Sequence, residues 1–442
     1  MNILSCRRLS LAWTLAFQGL ILVGISLAPI QAAFATAAFA RATGANCDKC
    51  HTANFPHLNF KGERFLRNGF QLRQEAPVEF GLGDDKPGEA EKSRTELQKI
   101  SDLFAIGGSL EVLHAANTDS SPALSTPLEI DLYATGSLAK DTPIYAAVAV
   151  ENDATMLHRF ILGKTNIGGS TFSNVRIGTL DPTTWTSFYG FGATLDSAAP
   201  AIGAYGSSHS GGSGFTAVGA GYREKQAIEY YGYNDLIILA LGLSNGASAA
   251  ASEGVAPTRN YDPLDYWTSA RLELGPNGSV SLLWYNANGY VNNQTFTFAG
   301  NLRTRALDVR FQYSVDNTGG AQVSTAKTLS DPHAGHKPVG VISARHGGAE
   351  TSDGVATGSN YRSGFTVQAD YLMNAHISGL FRFDTTDNGA AENSVETQLT
   401  FGVLYKPQAN VKVTAAYVSE LSAASATEKF GDHGTLQVRF VF

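Results

Sequence analysis

The chain has 442 residues, a formal net charge of −7 and three cysteines. The acidic balance argues against nucleic acid as a partner, since phosphate backbones are bound through an excess of lysine and arginine. No cysteine follows Cys50, so disulfides cannot form the framework of the long C-terminal part.

Residues 1–40 form a predicted signal peptide. Arg7 and Arg8 precede a long apolar stretch, and the small residues of the AFA sequence at 38–40 form a cleavage site. An uncleaved membrane anchor is the alternative interpretation. No later apolar run approaches the ~18 residues that a membrane helix needs, so we expect an exported chain that would enter a membrane without helices.

The sequence CDKCH places Cys47, Cys50 and His51 shortly after the predicted cleavage site. This C-x-x-C-H pattern is typical of covalent c-type haem attachment. Two thiols three positions apart can reach the two vinyl groups on one edge of a porphyrin, and the next histidine then lies under the ring, where it can ligate the iron. A disulfide, a thioredoxin-type redox pair and half of a zinc site are the alternatives; the second lacks a βαβ context and the third lacks further ligands. We therefore predict one covalently attached haem c.

The second axial ligand of this haem is not fixed by the pattern. His57 is the only other histidine in residues 41–98 and is the distal candidate, with an ordinary turn residue as the alternative interpretation. Met156 and Met373 fall in the strand region, and His376 lies on the polar face of a predicted strand. A five-coordinate or water-bound haem stays open.

Residues 41–98 are the predicted monohaem cytochrome c segment and its linker, which we expect to be mostly helical or irregular. Phe60, Phe65 and Leu66 have helical spacing. A segment this short buries little apolar surface by itself and needs a staple such as a cofactor. It could also fold inside the barrel described next and plug its lumen.

Residues 99–442 show the period-two alternation of strands with one apolar and one polar face. In LDVRFQYSVD, which begins at Leu307, apolar and aromatic residues alternate with Asp, Arg, Gln, Ser and Asp. Stretches that begin at Phe365 and Val395 repeat the pattern. A soluble sandwich would bury the apolar face, whereas an outer-membrane barrel turns that face to lipid and its polar face to the lumen.

Three features favour the barrel. The predicted strands run to about ten residues, longer than the usual ~5–6. Tight turns at 275–278 and 406–410 alternate with long connections, and the ending TLQVRFVF resembles the last strand of bacterial outer-membrane proteins. We therefore predict an all-β fold, an antiparallel transmembrane β-barrel of about 16 strands (roughly 14–18), in the outer membrane of a Gram-negative bacterium. Counting back from the C-terminus places the long connection 316–337 at the periplasmic end.

Two further groups of side chains are candidates for roles in such a barrel. Aromatic residues near predicted strand ends would form girdles at the membrane interfaces; these are Tyr189, Tyr266, Trp267, Trp284, Tyr285 and Tyr417. Carboxylates on polar strand faces would attract a divalent cation or simply contribute to lumen polarity; these are Asp308, Asp316, Asp370 and Glu396.

The segment FARATGANCDKCHTANFPHLNFKGERFLRNGF resembles the N-terminal segment of the fused outer-membrane monohaem cytochrome–porins of iron-oxidising bacteria. That family has the pattern A-R-x-T-G-x-x-C-x-x-C-H, then F-P-x-L-N, then G-x-x-F-x-x-x-G-[YF]. The matching positions are Ala40, Arg41, Thr43, Gly44, Cys47, Cys50, His51, Phe55, Pro56, Leu58, Asn59, Gly62, Phe65, Gly69 and Phe70. Where the family usually has Phe-Gly-Arg, this chain has Lys61, Gly62 and Glu63. The barrel part is similar in architecture and length.

The resemblance implies an oxidoreductase of the ferrous iron oxidase type. Extracellular Fe(II) would give single electrons to the haem, which would pass them inward to a periplasmic cytochrome c or another electron carrier, while outer-membrane lipid surrounds the barrel. Two alternatives stay open. One is an outer-membrane electron conduit with a different extracellular donor or acceptor, and the other is a solute-diffusion porin with an accessory haem segment.

Overall fold

The structure is a computed structural model that describes residues 49–52, 58–70, 104–115, 129–139, 141–151, 154–187, 225–244, 264–287, 293–318, 361–387, 395–408, 411–422 and 433–441. These residues contain one α-helix, α1 (Phe60–Arg67), and sixteen strands. No helix among them has the length and hydropathy to span a membrane.

The strands are β1 (Phe104–Ala115), β2 (Glu129–Ala139), β3 (Thr142–Glu151), β4 (Ala154–Lys164), β5 (Asn174–Leu180), β6 (Lys225–Tyr233), β7 (Ile237–Ser244), β8 (Asp265–Glu273), β9 (Gly278–Ala287), β10 (Asn293–Arg303), β11 (Leu307–Thr318), β12 (Tyr361–Leu372), β13 (Ile377–Asp387), β14 (Val395–Gln408), β15 (Val411–Ser422) and β16 (His433–Val441). Each pairs antiparallel with the next, and β1 pairs with β16 to close the barrel. The predicted count of about sixteen strands agrees with the structure. Closure leaves no unpaired sheet edge, which a lipid environment requires.

On many strands the two faces are inverted relative to a soluble protein. On β11, the polar side chains of Asp308, Arg310, Gln312 and Ser314 are buried, whereas Tyr313 on the opposite face is exposed. The exposed outer side chains include Ile228, Leu239, Leu241, Leu243, Leu282, Phe296, Phe298, Leu302, Phe401 and Val403. An apolar outer band around a polar interior is the arrangement of a transmembrane barrel. The predicted strand faces are confirmed.

The two ends of the barrel differ in the length of their connections. Short turns join β2 to β3, β6 to β7, β8 to β9, β10 to β11, β12 to β13 and β14 to β15, all at one end. The predicted turn at 275–278 is one of them and includes a 3-10 helix at Gly275–Asn277. Short turns face the periplasm in bacterial outer-membrane barrels. The connection from β11 to β12 leaves from the opposite end, so the prediction that 316–337 belongs to the periplasmic end was wrong.

The prediction of aromatic girdles is wrong for two positions, and Tyr189 lies outside the described residues. Tyr266 and Trp284 lie on the outer face, with ring centroids 5.3 Å apart. Trp267 and Tyr285 point into the lumen and have no exposed surface. The indole of Trp267 lies directly over Gly242 of the neighbouring strand, where a Cβ atom would overlap the ring. That glycine makes room for an inward tryptophan.

Candidate functional site

The described part of the predicted haem segment comprises residues 49–52 and 58–70. Cys50 and His51 are both half-buried. Cys47 and the distal candidate His57 lie outside the described residues, so their predicted roles stay predictions. His376, another histidine considered for the iron, is exposed in the turn between β12 and β13, where its Nδ1 lies 2.8 Å from the carbonyl oxygen of Lys406.

Asn59 fastens the C-x-x-C-H backbone to the start of α1. Its side-chain oxygen accepts a hydrogen bond from the Gly62 N–H at 3.0 Å, which makes it the N-cap residue of the helix. Its Nδ2 donates to the carbonyl oxygens of Lys49 at 3.1 Å and His51 at 3.2 Å, and its own N–H donates to the Cys50 carbonyl at 2.9 Å. One asparagine therefore orders the helix start and both motif residues, Cys50 and His51.

Two glycines complete the local fold of this segment. A Cβ atom at Gly62 would overlap the carbonyl oxygen of Cys50, so only glycine lets α1 approach the motif this closely. Gly69 has φ of +70°, the left-handed conformation that ends many helices. The Gly69 N–H donates to Leu66 and the Phe70 N–H donates to Phe65, each at 3.0 Å. The G-x-x-F-x-x-x-G-F pattern thus encodes a two-turn helix with a defined start and stop.

Ion pairs join α1 to the lumen wall at the short-turn end. Glu63 accepts a 2.8 Å hydrogen bond from Arg303 Nη2 and a further one from Arg271 Nη2. Arg67 donates to Glu273 at 3.2 Å, and Arg271 also contacts Glu273 at 3.3 Å. These five side chains are all buried. They form one network in which each guanidinium faces a carboxylate, so the helix is held inside the barrel.

The helix end is held by neutral groups and by one exposed pair. Tyr231 donates to the Arg67 carbonyl at 3.2 Å, and Tyr233 donates to Asn68 Oδ1 at 2.5 Å. Arg64 reaches Asp235 in the short β6–β7 turn at 3.2 Å, but the Asp235 side chain is 90% exposed. Surface pairs of this kind contribute little, so the buried network fixes the position of α1.

The electrostatics of the helix follow from this burial. Burial raises the pKa of Glu63, but the charges of Arg271 and Arg303 outweigh it and lower that pKa from 4.5 to about 2. Burial lowers the pKa of Arg67, and the charge of Glu273 opposes that shift. Glu63 is therefore ionised at every physiological pH.

A second element, residues 181–187, folds into the lumen after β5. It contains a 3-10 helix at Pro182–Trp185 and all seven residues are buried. Trp185 Nε1 donates to Glu229 at 2.8 Å, and Arg176 Nε donates to the same carboxylate oxygen at 2.7 Å. Trp267 Nε1 donates to the other Glu229 oxygen at 3.0 Å. This buried carboxylate binds the inward segment to the barrel wall.

Aromatic contacts connect this inward segment to α1. The Trp185 and Tyr231 rings are 4.8 Å apart at their centroids. Tyr231 donates to the Arg67 carbonyl at the end of α1. Residues 181–187 and α1 therefore both contact Tyr231, and both lie against the lumen side of β5–β10.

The described residues fit a covalently bound haem in their donors and their surroundings. A thiol and an imidazole are adjacent, half-buried and held on an ordered backbone. Leu58 and Leu66 belong to a buried apolar cluster with lumen-facing Tyr145 and Tyr231, and Phe70 packs against it. An apolar surface beside the thiol and imidazole suits a porphyrin.

Of the carboxylates predicted to attract a cation, Asp308 and Asp370 lie opposite each other on β11 and β12, and each has a partner on its own strand. Asp308 accepts from Arg310 at 2.8 Å, and Asp370 accepts from Gln368 at 2.9 Å. The side chains of Asp316 and Glu396 lie outside the described residues. No cluster of three or more metal-ligating His, Cys, Asp or Glu side chains occurs in the part of the chain that the structure describes.

Sequence reasoning missed the residues that hold the segment in place. Arg271, Arg303 and Glu273 were ordinary members of alternating strands, and Glu229 lies in the strand KQAIEYYGY with the same pattern. The available signal was Glu63, which stands where the cytochrome–porins that this segment resembles usually have an arginine. A charge placed on the buried face of a short amphipathic helix needs a partner.

No protein-family model and no curated protein sequence matches this chain. Among solved structures, OmpF of Salmonella typhi in complex with daunomycin matches with a TM-score of 0.51 and 10% identity, over 77% of this chain and 97% of that chain. A porin refined at 1.8 Å resolution matches with a TM-score of 0.48 and 11% identity, over 77% and 99%. OmpT of Vibrio cholerae, as a loop-deletion mutant, matches with 0.45 and 12%, over 77% and 99%. The likeness to OmpF shows the fold, which is a porin-like outer-membrane barrel.

Proposed function

We propose that this protein is an outer-membrane c-type cytochrome built on a porin-like barrel, which moves single electrons across the outer membrane. Cys47 and Cys50 would hold one haem covalently and His51 would ligate its iron. When bound, the haem supplies one-electron redox chemistry, and the barrel insulates it from lipid.

One observation carries this proposal. The Cys50–His51 backbone is clamped by Asn59 to a helix, and that helix is ion-paired through Glu63 and Arg67 to the inside of a transmembrane barrel. A diffusion pore has no need of a thiol and an imidazole held in this way. An electron carrier needs a cofactor fixed at a defined place relative to the membrane.

The position of α1 favours delivery of electrons to the periplasm. The helix contacts Asp235 in a short turn and Glu273 and Arg303 beside short turns, and short turns face the periplasm in such barrels. A periplasmic cytochrome c or similar carrier would therefore be the acceptor. The same compartment is where an exported chain receives its haem.

Fe(II) is the donor that the resemblance to iron-oxidising cytochrome–porins implies. The electron would leave Fe(II) as it becomes Fe(III), and the haem iron would pass from ferric to ferrous before it reduces the acceptor. A different extracellular donor or acceptor would use the same haem and the same barrel. The identity of the donor is thus a separate question from the presence of haem.

The test is anaerobic stopped-flow mixing of the purified full-length protein with Fe(II). We expect a c-type haem spectrum that changes from ferric to ferrous on mixing, and its loss in His51→Ala. His376→Ala is the matched control, since that histidine is exposed in a turn, and it should behave as wild type. A protein without covalent haem would overturn the proposal, whereas a haem that Fe(II) leaves oxidised would overturn only the choice of donor.

The second candidate function is solute diffusion, which the porin-like fold and the polar lumen favour. Liposome swelling in sugars separates the two. Swelling at the rate of an open porin would support diffusion, and a barrel that stays closed to sugars would agree with the two inward elements that pack along β5–β10.

A further inference from the structure

Four buried aromatic side chains follow one another along the lumen wall, and we call them the aromatic row. The ring centroids of Tyr231 and Trp185 are 4.8 Å apart, and those of Trp267 and Tyr285 are 6.3 Å apart. One carboxylate joins the two pairs, because Trp185 Nε1 and Trp267 Nε1 donate to different oxygens of Glu229 at 2.8 and 3.0 Å. None of the four residues is more than 3% exposed, so the row is a continuous path that water does not enter.

The two ends of the aromatic row lie at different places in the barrel. Tyr231 donates to the Arg67 carbonyl oxygen at 3.2 Å, so one end contacts α1. At the other end, Tyr285 donates to Asp265 at 2.6 Å, and Asp265 is the first residue of β8. That strand end follows the long connection from β7. The row therefore leads from the C-x-x-C-H segment towards the end of the barrel opposite the short turns.

The hydrogen bonds make Tyr285 the better place for a one-electron oxidation to come to rest. A tyrosine that loses an electron also releases its phenolic proton, so it needs a base beside it. The carboxyl group of Asp265 is such a base, whereas the acceptor of the Tyr231 hydroxyl is a peptide carbonyl, which is a much weaker one. We therefore expect an electron vacancy in the row to move towards Tyr285.

We propose that the aromatic row is a one-electron relay that carries oxidising equivalents away from the C-x-x-C-H segment. At each step one ring takes an electron from the next, so the first ring is restored as the second becomes oxidised. In the last step Tyr285 gives an electron to oxidised Trp267 and its phenolic proton to Asp265. The product is a neutral tyrosyl radical beside a protonated carboxyl group.

The oxidant in this proposal is a peroxide, and the reductant is an extracellular electron donor such as Fe(II). Hydrogen peroxide takes two electrons, and two protons from water, to give two water molecules, so each peroxide draws on the relay twice. Each Fe(II) then returns one electron to Tyr285 and becomes Fe(III), while Asp265 returns the proton. This use of the relay rests on the proposed haem, but conduction along the row does not.

The experiment is ultraviolet flash photolysis of the full-length protein in detergent, followed by electron paramagnetic resonance of samples frozen after the flash. The flash ejects an electron from a tryptophan, so it loads the relay without haem. Every protein carries Trp284→Phe, because Trp284 lies on the outer face 5.3 Å from Tyr266 and would give an unrelated tyrosyl signal.

We expect a tyrosyl signal in the Trp284→Phe background and a signal at least fivefold smaller when Tyr285→Phe is added. Adding Trp267→Phe should leave the radical on Trp185, since the ring that connects it to Tyr285 has changed. Tyr266→Phe is the matched control on the outer face and should keep the full signal.

Either of two flash results would overturn the relay: no tyrosyl signal in the background protein, or an equal signal after Tyr285→Phe. Heat-dependent migration on gels reports whether each barrel is folded. If the Trp267→Phe protein does not fold, Tyr285→Phe, which removes only a hydroxyl, decides the question.

Peroxide added to the same proteins tests the link to the C-x-x-C-H segment. We expect it to produce the Tyr285 signal in protein that carries covalent haem. Covalent haem without that signal would overturn the protective role of the relay. A protein without covalent haem would overturn the proposed function, and the flash result would then decide the relay alone.

Discussion

In the half of the lumen wall formed by β6–β10, several charged side chains pair with α1 in addition to pairing within the sheet, whereas the described pairs on β12 and β13 lie within the sheet. Arg271, Arg303 and Glu273 meet Glu63 and Arg67 of the helix. On the other half, the pairs join neighbours two residues apart, as in the Arg382–Asp384 and Gln368–Asp370 pairs. Both halves look alike in sequence.

The comparison distinguishes pairs that form within the barrel wall from pairs that hold α1 against it. A pair formed two residues apart on one strand satisfies two buried groups locally and needs no other element. A pair that bridges α1 and the barrel leaves a buried charge on each side if the helix departs, and such a charge is costly. Charges that cross between elements therefore decide where the segment sits.

The largest effect is expected from a substitution that separates the C-x-x-C-H backbone from α1. Gly62→Val places a side chain on the Cys50 carbonyl oxygen. We expect the barrel to fold and the covalent haem content of the purified protein to fall at least tenfold, measured by the pyridine haemochrome spectrum. Lys61→Ala, at the exposed neighbouring position, should keep its haem. A Gly62→Val protein with full haem would show that the close contact is dispensable.

The next largest effect is expected from Glu63→Gln, which removes the carboxylate between two buried arginines. Loss of one partner of a buried ion pair costs about 3–5 kcal/mol. Trypsin cleavage after Arg64 or Arg67 should then become roughly a hundredfold faster or more, if cleavage requires the helix to undock.

Asp235→Asn is the control for this comparison, because it breaks an exposed pair with the same helix. Such pairs contribute about 0–1 kcal/mol, so its cleavage rate should stay within several-fold of wild type. Equal rates in Glu63→Gln and Asp235→Asn would contradict the docking role of the buried network.

The sequence predicts the barrel well because period two is a local property. The faces of β11 can be read directly from LDVRFQYSVD, and C-x-x-C-H identifies its candidate chemistry without any fold. The partners of Glu63 cannot be read in this way, since Arg271 and Arg303 lie 208 and 240 residues away. Alternation gives the face of a side chain but neither its depth in the lumen nor what lies opposite.

The inward position of Trp267 also could not be predicted from its own strand. A tryptophan near a strand end suits a membrane interface equally well in either strand register. Its inward position depends on Gly242 across the pair and on Glu229, which accepts its indole N–H at 3.0 Å. Both partners belong to other strands, so only the assembled barrel relates them.

The smallest effect on the ion pairs between α1 and the barrel is expected from lowering the pH. The pKa of Glu63 is lowered to about 2 in the docked helix, against 4.5 without its partners. A group with a lowered pKa stabilises the docked state fully above the higher value, and this contribution fades as the pH falls from about 4.5 through about 2. The contribution of Glu63 to docking should therefore be constant from pH 7 to 5 and weaken below that.

Pepsin cleavage beside Phe65 and Leu66, followed from pH 4.5 to 2, measures this weakening. Glu273 and Asp235 also contact the helix and are present in both proteins, so the informative quantity is the difference between wild type and Glu63→Gln. We expect the wild type to be cleaved far more slowly at pH 4.5 and the two rates to converge towards pH 2, because neither a protonated glutamic acid nor a glutamine at position 63 presents a negative charge to Arg271 and Arg303. A gap that stays constant over this range would mean that the Glu63 charge does not hold the helix.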